Sequence, residues 1–136
     1  MNVNFSVFIE KILTGEKRQT IRRAGAKWKN VKPGDMLSFY AGLRTKQCRK
    51  LGVAAVDSIN TILLNTITHT VYLPSSLGIL GYVELADQEA RTIAGMDGFT
   101  SMKDFWEFFA SHYGRIAILP MRVIRWYNFT PANNGK

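Results

Sequence analysis

Leu51-Gly52-Val53-Ala54-Ala55-Val56 is a β-rich run near the middle of a 136-residue chain. It reads as part of a long central strand within residues 46–60, with Gly52 marking a bulge. Upstream, Val31-Lys32-Pro33-Gly34-Asp35 predicts a turn, because proline sets φ for the bend and glycine relieves the strain after it. Met36-Leu37-Ser38-Phe39-Tyr40 follows as a strand ending near Gly42. Downstream, residues 68–73 and 79–85 are β-rich and are separated by the breakers Pro74-Ser75-Ser76, and residues 121–129 return as a last strand. Helical spacing appears elsewhere. Phe5, Phe8, Ile9, Ile12 and Leu13 predict a helix over 5–14, closed by Gly15. Residues 87–95 predict a second helix ending at Gly95, and Thr100 or Ser101 caps a third running to about His112. Consecutive strands of this kind favour α+β over α/β. The economical arrangement is a small, mostly antiparallel β-barrel with an N-terminal helix and two short helices before the last strand. One domain over 1–129 is expected, followed by a disordered tail over 130–136.

Met102, Phe105, Trp106, Phe109 and Tyr113 form a stripe at three- and four-residue spacing. Such a stripe either packs a core or offers a base-stacking surface, and helical periodicity favours the core. One cysteine, Cys48, excludes an internal disulfide and fits a reducing, cytoplasmic setting. Basic neighbours lower a thiol's pKa, but no partner constellation surrounds Cys48, which reads as a buried or incidental thiol. The N-terminus lacks the basic and apolar regions of a signal peptide, and no apolar stretch has the length to span a bilayer. His69 and His112 stand far apart without ligand spacing, so neither a metal nor a cofactor is expected.

Charge is the strongest functional signal. Residues 1–50 carry twelve Lys/Arg against three acids, an excess of nine positive charges, whereas residues 51–136 carry six against seven. The excess gathers in two runs, Gly15-Glu16-Lys17-Arg18-Gln19-Thr20-Ile21-Arg22-Arg23 and Leu43-Arg44-Thr45-Lys46-Gln47-Cys48-Arg49-Lys50. Both runs also carry hydroxyl and amide side chains, the footprint of a site for a polyanion or a phosphorylated ligand. A solvated basic face without a specific partner is the plainer reading. In the first run Thr20 and Arg22 share a face of an extended segment, with Lys17 at the turn before it. Taken as a strand, the second run places Arg44, Lys46, Cys48 and Lys50 on one face and Thr45, Gln47 and Arg49 on the other. Cations on both faces require at least one to border a cleft or solvent, with phosphate contact the favoured use. Tyr40 is placed either to stack on a base or to join the core.

Ile12-Leu13-Thr14-Gly15-Glu16-Lys17-Arg18-Gln19-Thr20-Ile21-Arg22, followed by Lys32-Pro33-Gly34-Asp35-Met36-Leu37, resembles the signature of ASCH domains of the stand-alone bacterial or phage type. These belong to the PUA-like superfamily of RNA-associated β-barrels. The resemblance covers residues 5–60 well and the region 97–113 loosely. It implies a cleft lined by the Lys-x-x-Thr-Ile-Arg corner that receives RNA or a modified nucleoside. One branch with a similar motif consists of amidohydrolases acting on acetylcytidine through a Lys, a Thr and a Glu. By that resemblance the Lys falls on Lys17 and the Thr on Thr20, while the acid falls on Asp97, with Glu89 a weaker candidate. Asp97 is shorter than the family's Glu, and Arg18 stands where that branch usually has a Thr.

Such a site is chemically coherent. Thr20 is a poor nucleophile unless a base lies within hydrogen-bond reach. Lys17 serves as that base if burial and the neighbouring Arg18, Arg22 and Arg23 lower its pKa, and Asp97 then orients Lys17 or relays a proton. Equally, Lys17 and Arg22 only bind phosphate, Thr20 only donates to it, and Asp97 only begins a turn. The expected binding set is Arg18, Arg22, Tyr40, Arg44, Thr45, Lys46 and Arg49. The leading expectation is a domain that binds RNA or a modified nucleoside in a basic cleft, with hydrolysis of the ligand as a further option. An amidohydrolase of acetylated cytidine is one alternative. The other is a phage-type interaction protein that inhibits a host nucleic-acid enzyme.

Overall fold

The structure, a computed structural model, describes residues 1–76 and 81–132. In chain order the elements are β1 (Asn2–Phe5), α1 (Ile9–Leu13), β2 (Gln19–Arg23), a 3-10 turn (Ala26–Trp28), β3 (Met36–Ala41), β4 (Arg49–Asn65), β5 (Thr70–Pro74), β6 (Tyr82–Glu84), α2 (Asp87–Met96), α3 (Met102–Tyr113) and β7 (Leu119–Pro131). Among the described residues the strands form one seven-stranded sheet, antiparallel except where β1 runs parallel to β3. The α+β class and the mostly antiparallel pairing agree with the sequence reading. The sheet is not closed. Its path β2–β7–β4–β3–β1 leaves β2 and β1 as edges, and β5 and β6 extend it from the far half of β4.

β4 explains the sheet's shape. Its first half pairs with β3, its last residues with β5, and nearly its whole length with β7. A flat 17-residue strand does not serve so many partners, and β4 bends at irregularities opposite Phe39/Tyr40 and between Val56 and Ser58. The second also changes which face is buried. Before it, Ala54 and Val56 pack with Val3, Phe5, Leu37, Phe39, Ile124 and Trp126 inside the curl of the sheet. Beyond it, Ile62 and Leu64 face the other way and pack with Met121, Val123 and the helices. One extra residue shifts the two-residue alternation and hands the strand from one core to the other.

The inner core is plugged by Ile12 of α1 and by Trp28. The outer core lies against α2 and α3. Small Ala90 and Ala94 let α2 approach, and Phe105, Trp106 and Phe109 make the α3 stripe core packing. Ser101 caps α3, its hydroxyl accepting from the Asp104 amide at 3.1 Å, and the Pro33-Gly34 turn forms as expected, with Asp35 Oδ2 accepting from the Lys32 amide.

Four expectations are corrected. Residues 5–8 are not helical: Val3 and Phe5 are buried while Asn2 and Asn4 face outward, the alternation of a strand, and β1 gains a backbone ladder with β3. Phe8 then takes a left-handed φ of 60° and α1 begins only at Ile9. The basic run at 44–48 is a turn rather than a strand, with Arg44 at φ 70°, and β4 starts at Arg49. α2 passes through Gly95 and ends at Met96. Thr130 and Pro131 belong to β7, where they pair with Val53 and Gly52, rather than to a tail. Residues 79 and 80 of an expected strand and 133–136 of the expected tail lie outside the described residues.

Gly52 lies where β4 and β7 approach closely. Its φ is 156°, and a Cβ there would meet the Thr130 carbonyl oxygen and the Phe129 ring, the latter at 2.7 Å. Gly52→Ala is therefore expected to destabilise the domain by about 1–3 kcal/mol, the scale of overpacking. Urea unfolding with an unchanged midpoint would contradict the close approach of β4 and β7 here.

Candidate functional site

The turn after α1 carries Lys17, β2 leaves it carrying Gln19, Thr20 and Arg22, and the C-terminal end of α2 comes down against them. That helix end is rich in acceptors: its last carbonyls accept from the amides of the turn that closes it, and each carbonyl oxygen has a second lone pair to offer. Lys17 Nζ donates to the Asp97 carbonyl oxygen at 2.5 Å, Gln19 Nε2 to the Ile93 carbonyl at 3.0 Å, and Lys11 Nζ to the Gly98 carbonyl at 2.7 Å. The Asp97 side chain joins the same network. Its Oδ2 lies 3.4 Å from Lys17 Nζ, and its Oδ1 accepts from Gln19 Nε2 at 3.4 Å. Gln19 Oε1 in turn accepts from Arg125 Nε at 3.1 Å.

A second hydrogen-bonded chain runs along the inner face of β2. Arg22 Nε donates to Thr20 Oγ1 at 3.0 Å, and Arg22 Nη2 donates to the Asn4 carbonyl at 2.7 Å, bridging the two edges of the open sheet. Asn4 Oδ1 accepts from the Leu43 amide at 2.8 Å and so pins the loop 42–48 beside the same gap. The two chains meet over one aromatic ring. Lys17 Nζ lies 5.8 Å and the Arg22 guanidinium 4.8 Å from the centre of Phe5, both within cation–π range. Phe8 closes the other side of Lys17 at 5.2 Å. Its ring rests on Gly98, where a Cβ would sit 2.9 Å from it, so only glycine admits this contact.

Lys17 and Asp97 are both almost fully buried, at 3% and 4% exposure. Burial pushes the Lys17 ammonium below the ordinary lysine range. Asp97 pulls it back up, while Arg22 and Lys11 depress it further. Burial likewise raises the Asp97 carboxyl, against the opposing pull of Lys17 and the hydrogen bond from Gln19. Burial also disfavours the Arg22 charge, but a guanidinium keeps its proton in proteins. Lys17 is thus a partly activated ammonium held by a carboxylate and a carbonyl. Among the described residues no hydrogen bond joins it to Thr20: the Lys17 bonds go to Asp97, and Thr20 Oγ1 takes its proton donor from Arg22. In this arrangement the Thr20 hydroxyl is buried and oriented by Arg22, with no hydrogen bond to Lys17.

Of the residues singled out by sequence, Lys17, Thr20, Arg22 and Asp97 come together. Asp97 rather than Glu89 meets Lys17, since Glu89 is exposed in the first turn of α2, about two helical turns away. Arg18 is exposed on a different groove, lined also by Glu16, Asp57, Met96 and Arg125. Tyr40 lies on the face opposite buried Phe39, alongside Asn4 and away from the inner face that carries Thr20. Arg44, Thr45 and Lys46 sit in the exposed loop, where the Thr45 hydroxyl is taken up by the Gly42 carbonyl at 2.6 Å and the Gln47 amide. Arg49 opens β4, exposed, and Cys48 is exposed rather than buried. Residues that sequence reasoning passed over are Gln19, fully buried at the centre of the network, with Lys11, Asn4 and Lys27. The polar Gln19 at a core-facing strand position was the one local signal among them.

No family model matches the chain, and neither a curated protein nor a solved structure matches it significantly. Among the described residues no helix is long and apolar enough to cross a membrane, and no group of three or more His, Cys, Asp or Glu is placed to hold a metal ion.

Two measurements check the network. Removing one partner of a buried pair strands the other charge, so Lys17→Ala is expected to cost about 3–5 kcal/mol in chemical denaturation. Asp97→Asn removes the charge that supports the Lys17 ammonium. The Lys17 pKa, followed by NMR of ¹³C-labelled lysine, is expected to fall below its wild-type value. An unchanged Lys17 titration would mean that Asp97 does not set it.

Proposed function

We propose that the protein is an ASCH-like domain of the PUA-like type, its barrel left open between β1 and β2, that binds RNA or a modified nucleoside over the corner formed by Lys17, Thr20, Arg22 and Asp97. One observation carries this reading. Of the five buried polar or charged residues among those described, four (Lys17, Gln19, Thr20 and Asp97) lie at this one corner. Burying polar groups costs free energy that an apolar core would not incur, and groups with perturbed pKa gather at functional sites more than elsewhere. The surrounding charge supports an anionic ligand. Arg18, Arg22, Arg23, Lys27, Arg44, Lys46 and Arg49 form no ion pair among the described residues, whose four pairs involve Lys11, Lys17, Lys32 and Lys103.

The reading calls for binding that weakens with salt. Three to five phosphate contacts give a log–log slope of roughly −2 to −4 for single-stranded RNA. The combined change of Arg44, Lys46 and Arg49 to Ala is expected to weaken binding while the thermal transition persists, since exposed charges add little stability. An affinity indifferent to salt, or no binding of RNA or of any nucleoside, would overturn the proposal.

A hydrolytic reading, removal of an acyl group from an acetylated cytidine, is supported by the depressed Lys17 ammonium beside Asp97. It requires Thr20 to exchange its Arg22 contact for Lys17 when substrate enters. Turnover of acylated nucleosides, read by mass spectrometry, tests it. If the site is hydrolytic, Thr20→Ala abolishes nearly all product, because a nucleophile and its base act as a unit. A wild-type protein inert on such substrates, yet binding them, leaves a binding module.

A further inference from the structure

Beside the gap between β1 and β2, cations from β2, the turn after it, the loop 42–48 and the neighbouring strand β7 are brought together. Arg22 and Arg122 stand directly opposite each other on β2 and β7 and therefore share a face. Lys27 follows β2 in the 3-10 turn, close enough to Arg22 and Arg44 that both depress its ammonium, with burial the larger cause. Arg44 is carried by the loop that Asn4 pins, and the same Asn4 accepts from Arg22. No carboxylate forms an ion pair with any of the four among the described residues. Asp97 does reach Arg22 electrostatically, but its carboxylate oxygens already meet Lys17 and Gln19.

Like charges set directly across a strand pair destabilise it, and clustered cations repel one another unless an anion sits among them. Arg22 has donors to offer. A guanidinium has five N–H groups, and the hydrogen bonds of Arg22 to Thr20 and Asn4 engage its Nε and Nη2 only. A phosphate group matches this arrangement, since it accepts from forked guanidinium donors and neutralises several cations together.

We propose that Arg22, Lys27, Arg44 and Arg122 form a phosphate seat at the β1–β2 gap, so that the ligand of the adjoining corner is a nucleoside phosphate, free or within an RNA strand. This rests on the nucleoside-binding reading above and adds to it a distinct subsite. Because Arg22 donates to Thr20, a phosphate on Arg22 lies beside the hydroxyl that would contact the nucleoside.

The test is calorimetric titration of the full chain with the four ribonucleosides, their 5′-monophosphates and a dinucleoside monophosphate. Inorganic phosphate is followed in parallel by NMR at the Arg and Lys side chains. The phosphate-bearing ligands are expected to bind at least about tenfold more tightly than the matching nucleosides, the scale of charge-assisted hydrogen bonds. Lys27→Ala and Arg44→Ala are each expected to remove most of that advantage of phosphate over nucleoside while the melting temperature stays near wild type. Tight binding of the dinucleoside monophosphate alone identifies a strand phosphate as the occupant and supports the seat. Nucleosides that bind as tightly as their phosphates overturn the seat and leave the nucleoside reading standing. Inorganic phosphate that perturbs Arg22, Lys27 and Arg44, with no nucleoside or RNA bound, supports the seat and overturns that reading. No response to any of these probes overturns both.

Discussion

The buried contact between Lys17 and the end of α2 is the constraint on which the rest depends. A lysine ammonium and an aspartate carboxylate are held out of water, and their mutual contact, the Asp97 carbonyl, the Gln19 amide and the Phe5 and Phe8 rings compensate that loss. The arrangement ties the start of β2 to the C-terminal end of α2, and so ties the inner core of the sheet to the helical layer behind it. Lys11 and Gln19 reinforce the same junction by donating to Gly98 and Ile93. Three side chains from the α1–β2 corner therefore cap one helix, and cations at a helix C-terminus also meet its negative dipole end.

Around that junction the chain accepts local strain. Phe8 takes a left-handed backbone conformation, uncommon for a bulky residue, and its ring settles on Gly98 and against Phe99 at 5.0 Å. Those contacts, with Lys11 and Lys17 both 5.2 Å from the ring, hold Phe8 in place. The wall formed by Phe5 and Phe8 shields the Lys17–Asp97 pair from solvent, and that shielding displaces both pKa values. Geometry, strain and electrostatics at the corner thus have one cause.

The open edge of the sheet matters for the same reason. β1 and β2 do not exchange backbone hydrogen bonds, and the Arg22 guanidinium spans the gap to the Asn4 carbonyl. A side chain in that position both stiffens the edge and presents its remaining donors at the rim. The basic character of the first fifty residues gains meaning there, because turn and loop geometry bring Lys27 and Arg44 toward Arg22.

Local chemistry made much of this legible in the residues themselves. The α3 stripe, its Ser101 cap, the Pro33-Gly34 turn and the β-rich run at 51–56 depend on neighbours within a few positions, so periodicity and turn propensity suffice. The meeting of Lys17, Thr20 and Arg22 was also local, since one short segment carries all three. What only the tertiary structure decided rests on long-range pairing. Residues 2–5 are a strand because β3 offers a ladder, although Phe5 also fits the helical spacing of α1. Tyr40 faces away from the corner because Phe39 takes the core position. Arg122 joins Arg22 through a register a hundred residues apart in sequence, and Asp97 is selected over Glu89 by which end of α2 reaches β2. The bulge at Asp57 decides which core each half of β4 serves, because a single unpaired residue reverses a two-residue period.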